Sequence, residues 1–250
     1  MKRALLILAA IVGVAAPLTV AFGAMGADIG WVSFETGFWL LTLTVGWWLA
    51  VAGVVLGLVA LLLNISALAR AWPWLIGGLV LPTSTLGGLA LMQSRLDAGP
   101  PVVETSTDWI DPPTFSEAMM SRRGAGALPV LAEPMIASSV AMRRDAWRRW
   151  SGRTASAANT EACPGAQTVP RLVESEAVIA ALEAEGVRVI GESPWRVEGF
   201  KESAFYGRVR DVVVRMEPGA TDIRVSERAG DVDLGDTCDL AASLVARLSE

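Results

Sequence analysis

The sequence predicts an α+β protein in two parts: three membrane-spanning helices, then a soluble antiparallel sheet with helices packed on one face. Three observations carry this reading. Charge is distributed unevenly over the 250 residues: before Gln93 the only charged side chains are Lys2, Arg3, Asp28, Glu35 and Arg70. The same stretch holds three long apolar runs. The chain after about residue 175 shows, in order, a helical pattern, four alternating patterns and a second helical pattern.

The apolar runs cover about residues 4–24, 36–63 and 73–93. Each is long enough to cross a ~30 Å hydrocarbon layer at ~1.5 Å per residue. Trp31 and Trp39 flank one set of ends and Trp72 and Trp74 the other, as in an aromatic belt. Lys2 and Arg3 precede the first run, Asp28 and Glu35 occupy the first loop, and Arg70 the second. The positive-inside rule then places the N-terminus in the cytoplasm and the soluble domain outside, in a bacterium the periplasm. A cleavable signal peptide is the competing reading of residues 1–27, and it leaves the soluble domain on the same side. No ionisable residue lies inside a span, which speaks against an ion or proton path. Gly53 and Gly57, with Ala60 a turn later, read as a close-packing stripe. Pro82 predicts a kink, with Thr83, Ser84 and Thr85 placed to satisfy freed carbonyls.

Residues 94–101 read as a linker that ends in Gly99-Pro100-Pro101, and residues 102–250 as the soluble domain. Up to residue 170 this domain shows little periodicity and many prolines, among them Pro112, Pro113, Pro129 and Pro134. A helix follows, capped by Ser175, with Val178, Ile179 and Leu182 on one face and Gly186 ending it. Strands are expected over Val187–Glu192, Trp195–Glu202, Val209–Met216 and Asp222–Arg228. Their alternation of apolar and charged residues predicts a sheet wet on one side. The last helix, about Leu234–Leu248 with Asp233 as N-cap, carries a stripe of Leu234, Cys238, Ala241, Val245 and Leu248.

Composition excludes several function classes. The chain has no histidine, which removes Ser-His-Asp and Cys-His chemistry and most catalytic zinc sites. A net charge of −5 is not the footprint of a nucleic-acid binder. Asp231, Asp233, Asp236 and Asp239 lack the glycine and glutamate spacing of a calcium loop, so no metal and no cofactor is expected. Lys201 and Ser203 read as ordinary surface residues more readily than as a catalytic dyad.

Three blocks of the soluble domain point to a family. The first is Thr107-Asp108 with Asp111-Pro112-Pro113-Thr114-Phe115; the second runs from Phe205-Tyr206-Gly207-Arg208 to Arg215. The third is Asp222-Ile223-Arg224 followed by Arg228-Ala229-Gly230-Asp231-Val232-Asp233-Leu234-Gly235. In order and spacing they resemble the DUF1499 family, membrane-associated domains of bacteria and plastids without an assigned activity. The family pattern has serines near the last strand and an asparagine after Asp-Leu-Gly, where this chain has Val225, Glu227 and Thr237. That departure speaks against serine-centred chemistry. The segment from Arg143 to Ala166 reads as an insertion.

Within those blocks, Asp108, Asp111, Arg210, Asp211, Arg215, Arg228 and Asp233 are the candidate binding residues. They either line a ligand cleft or pin loops to the sheet by Arg–Asp pairing. Arg143, Trp147 and Trp150 are candidates for contact with a membrane surface, the alternative being that the tryptophans pack on the domain. Cys163 and Cys238 are a candidate disulfide, or else a loose thiol and a small buried residue. The function expected is a non-catalytic module at the bacterial inner membrane. Its partners would be the lipid bilayer and an envelope protein, a lipid or a small ligand, and no nucleic acid. The alternatives are an envelope enzyme that uses carboxylates such as Asp108 and Asp111, and an accessory subunit of a membrane complex.

Overall fold

A computed structural model describes residues 2–230, 232 and 234–250. The chain divides into two compact units. The first comprises the residues up to Ser94 together with Ala204–Gly207; the second comprises Arg95–Ser203 and Arg208–Glu250.

The first unit contains α1 (Lys2–Asp28), then a wide π-type stretch, Thr36–Gly46, that runs directly into α2 (Trp47–Leu63). A short 3-10 turn, Ile65–Ala67, leads to α3 (Leu68–Leu75), a second π-type turn, Ile76–Val80, and α4 (Leu81–Ala98), whose residues from Arg95 on belong to the second unit. Three continuous helical segments, Lys2–Asp28, Thr36–Leu63 and Ile65–Ala98, are long and apolar enough to cross a membrane. The third starts earlier than expected, because the stretch around Arg70 is helical.

Glycines decide how these helices pack. A β-carbon on Gly13 would overlap the Gly77 carbonyl oxygen, and one on Gly57 would overlap the Gly78 carbonyl oxygen. One on Gly53 would lie 3.0 Å from the Gly13 Cα and 2.9 Å from the Pro82 Cβ. Such backbone-to-backbone approach is open only to residues without a side chain. Pro82 has no amide hydrogen to give back to Gly78, and it is this carbonyl that faces Gly57. Ser84 and Thr85 donate to the Val80 and Leu81 carbonyls at 2.9 Å each, and not to the group that proline frees. Near Gly23 and Gly37, a second close approach, the Thr42 hydroxyl donates to the Gly37 carbonyl at 2.9 Å. A hydroxyl has one proton, so the 2.8 Å bond between Thr42 and Tyr206 has the phenol as donor. Phe34 and Phe38 pack edge-on against the same ring.

The second unit is built on a five-stranded sheet. Its elements are β1 (Glu104–Ser106), α5 (Glu117–Arg123), α6 (Ser138–Ala141), a 3-10 helix Asp145–Trp150, α7 (Ala155–Ala162) and α8 (Ser175–Ala184). They continue with β2 (Arg188–Ser193), β3 (Arg196–Glu202), β4 (Val209–Glu217), β5 (Ala220–Glu227) and α9 (Asp236–Ser249). The spatial order is β1-β5-β4-β3-β2 and every pairing is antiparallel. The α+β class is as predicted. One sheet face buries Val197, Val212, Val214, Ile223 and Val225 against Val178 and Leu182 of α8 and Leu240, Leu244 and Leu248 of α9.

Several details differ from expectation. The strand β1 was not visible in the pattern, since Glu104-Thr105-Ser106 is short and polar. The second sheet face is not wet: Phe115 and Met119 pack on Val213 there, and charged side chains of this face are buried. Ser175 is the first residue of α8 rather than its cap; Glu174 holds the cap position and makes no side-chain cap bond. Gly186, at φ +74°, ends that helix as expected. The last helix begins at Asp236, after Gly235 at φ +84°; the proposed cap Asp233 lies outside the described residues.

Cys163 and Cys238 form a disulfide with Cα atoms 5.7 Å apart, joining the end of α7 to α9. It closes a loop of 75 residues, which corresponds to about 4 kcal/mol in the chain-entropy treatment. The double variant Cys163→Ser/Cys238→Ser is therefore expected to lose about 2–4 kcal/mol in denaturant melts of the full chain. In the first unit, Gly57→Ala is expected to lower stability in detergent by about 1–3 kcal/mol. Gly87→Ala, whose added methyl meets open space, should leave the melting temperature unchanged or slightly raised.

Candidate functional site

The candidate binding residues do not converge on one cleft. Arg210 and Asp211 are neighbours on β4, and successive strand residues point to opposite faces. Asp211 lies on the face covered by α5. Its carboxylate takes a bond from Arg123 Nη1 at 2.6 Å and from Arg228 Nη2 at 2.6 Å. Arg123 extends the same fork to the carbonyls of Leu128, at 2.9 Å, and Glu227, at 3.0 Å. Burial pushes the Arg123 guanidinium below its ordinary pKa, and the adjacent Asp211 opposes that shift.

Arg210 lies on the helix-covered face. It donates to Glu227 at 2.7 Å and also pairs with Asp236 in the first turn of α9. Arg208 reaches the same two carboxylates, at 2.7 Å and 3.3 Å. Asp236 thus anchors α9 to the sheet. Four further members of these networks had no sequence signal as sites: Arg123, Glu104, Glu198 and Arg224. Arg224 pairs with Glu104 and donates to the Pro113 carbonyl at 3.2 Å and to the Leu131 carbonyl. Burial raises the Glu104 pKa, and Arg224 counteracts this. Glu198 accepts from the Ser116 amide at 2.6 Å and the Ser116 hydroxyl at 2.5 Å, tying the start of α5 to β3.

Arg215, Asp108 and Asp111 do come together. Arg215 lies 2.6 Å from Asp111, 3.2 Å from Asp222, 3.4 Å from Asp108 and 3.4 Å from Glu217. Burial would lower its pKa, but bonds to Asp222 and Asp111 outweigh it and hold the guanidinium above its ordinary value. The other Asp108 oxygen accepts from the amides of Ile110, at 2.8 Å, and Asp111, at 3.2 Å, which makes it the builder of its own turn. Both carboxylates proposed for catalysis are therefore held by one cation near the surface, Asp111 with 79% of its side chain exposed. Asp233 lies outside the described residues.

The proposed membrane-contact surface is corrected by burial. Trp147 and Trp150 are each only 1% exposed. The Trp147 indole donates to the Leu96 carbonyl at 2.6 Å, and Arg144 beside it pairs with Asp97 at 2.6 Å. The guanidiniums of Arg149 and Arg153 each stand 4.6 Å from the Trp150 ring centre, a cation–π arrangement that uses the basic residues internally. Arg143 is exposed.

Two cavities of the second unit are large enough for a ligand. One, of about 370 Å³, lies between residues 95–102, the disulfide and the start of α9. The other, of about 340 Å³, is lined by Asp111, Pro112, Thr114, Trp195, Arg196, Arg215 and Glu217. Among the described residues no group of three His, Cys, Asp or Glu side chains is placed to hold a metal ion. No protein-family model, curated protein or solved structure matches this chain.

The two kinds of carboxylate should respond differently to removal. Asp211→Ala leaves two guanidiniums without their buried counter-charge and is expected to destabilise the chain by about 3–5 kcal/mol. Asp111→Ala at the surface should change stability by about 1 kcal/mol or less. Denaturant titration of the two variants measures both.

Proposed function

We propose that this chain is a multi-pass membrane protein that holds a non-catalytic binding domain outside the cytoplasm, on the periplasmic face of a bacterial inner membrane. The observation that carries the non-catalytic reading is the capture of Asp108 and Asp111 by Arg215. A general acid or base needs a carboxylate whose proton affinity is tuned toward neutral pH. Here both carboxylates gather on the same guanidinium, and Asp108 is also held by two amides of its own turn, instead of facing a substrate as a pair.

Location rests on independent support. Three apolar helices suit a bilayer in length and composition. Trp31 is exposed just past the end of the first segment, as interfacial anchors are. Lys2, Arg3 and Arg70 fall on one side of a three-span arrangement, and Asp28 and Glu35 on the other. The disulfide favours an oxidising compartment for the second unit. The resemblance to the DUF1499 family belongs to the same proposal and adds no activity to it.

Native mass spectrometry of the full chain, released from micelles of a sugar-free detergent, tests the reading. Extra mass that disappears on denaturation is the expected result. A chain that turns over envelope-type esters or glycosides, with loss of activity in Asp111→Asn, would overturn it.

A further inference from the structure

The β2–β3 hairpin leaves Trp195 63% exposed. Its position is nonetheless fixed. Pro194-Trp195 forms the turn between the paired residues Ser193 and Arg196, and Pro194 holds its own φ. The Met216 amide donates to the Trp195 carbonyl at 2.8 Å, and the Ser193 hydroxyl to the Arg196 carbonyl at 3.2 Å. An aromatic side chain on so rigid a turn loses little conformational freedom when a ligand settles on it.

The polar groups beside it are equally fixed and only partly used. Asp111 meets Arg215 through Oδ2, and Glu217 meets it through Oε1. A carboxylate offers about four lone-pair sites, so each retains acceptor capacity toward the pocket. Thr114 contributes an exposed hydroxyl, and Arg196 a half-buried guanidinium. Around Arg215 stand the carboxylates of Asp108, Asp111, Asp222 and Glu217, and Glu198 lies 3.6 Å from Arg196. Two cations against five anions make the pocket a poor host for phosphate or any other anion. What fits is a neutral molecule with one apolar face and an edge of hydroxyls.

We infer that this pocket is a saccharide subsite, in which a neutral glycan ring lays its C–H face on the Trp195 indole and hydrogen-bonds through its hydroxyls to Asp111, Glu217 and Arg196. The inference rests on the binding-module reading above and supplies its ligand class. The carboxylates gather on one guanidinium instead of facing each other across a glycosidic bond, so the pocket holds a sugar without cleaving it.

The test uses the full chain in lipid nanodiscs, because maltoside and glucoside detergents would compete for a sugar site. Triacetylchitotriose and maltotriose are titrated calorimetrically. Binding of at least one, with a Kd on the order of 0.1–1 mM, is expected. Trp195→Ala should weaken it by about tenfold or more, Trp195→Phe by about threefold or less, and Asp111→Asn by about threefold to tenfold. An unchanged melting temperature in Trp195→Ala shows that the turn residue is not needed for folding. Absence of binding to wild type at about 10 mM of either sugar overturns the inference. So does binding that ignores Trp195, or a Trp195-dependent preference for choline, which would make the site a cation cage. Each of these leaves the binding module intact. Cleavage of either sugar, seen as new masses in the filtrate, would instead sink the non-catalytic reading itself.

Discussion

Asp211 is a wholly buried strand residue, and Arg123 and Arg228 pair with its carboxylate from two directions. Much of the second unit depends on this kind of contact. The chain between β1 and α7 is rich in proline and poor in regular structure, so its backbone carbonyls have few partners of their own. Arg123 takes the carbonyls of Leu128 and Glu227, and Arg224 those of Pro113 and Leu131. Each arginine is in turn fixed by a buried carboxylate on the sheet. A planar fork with five donors suits this double duty, and a lysine would not. These pairs add little net stability over an apolar packing of the same volume, but they admit only one arrangement of the covering chain.

In the first unit the comparable constraint is the absence of side chains. Gly13, Gly53, Gly57 and Gly78 let helix backbones approach until carbonyls and Cα hydrogens meet. Attraction of this kind does not need water to drive it, which is why it suits apolar helices. Cα–H···O contacts contribute weakly to each such crossing.

The parts of the fold that were legible in the sequence are those with a period or a composition of their own. The apolar helices, the stripe on α9 and the alternating strands belong to this group, and so does the pairing of the chain's two cysteines. What was not legible depends on partners distant in sequence. β1 is three polar residues, recognisable only once Glu104 faces Ser226. The charges on β4 looked like a solvated face because alternation reports polarity and not what covers it. Arg210 and Asp211 look like one site in sequence and belong to two sides of a sheet. The tryptophans at 147 and 150 sit among arginines, a pattern shared by a lipid-binding surface and by rings clasped internally. Trp195 followed a proline between two strands and gave no sign that it would stay exposed.

The outer edge of the sheet has a consequence for how the chain reaches its native form. Glu104 pairs with Ser226, and Cys163 with Cys238. A ribosome delivers the earlier member of each couple long before the later one. Until β5 has been made β1 has no neighbour, and until Cys238 has been made the thiol of Cys163 has no mate. Assembly of this unit therefore waits for β5 and α9 and cannot proceed strand by strand as the chain emerges. High contact order of this kind slows folding and prolongs the exposure of unpaired strands. The interval between the arrival of Cys163 and that of Cys238 is thus when a holding chaperone or an oxidoreductase would have most to do.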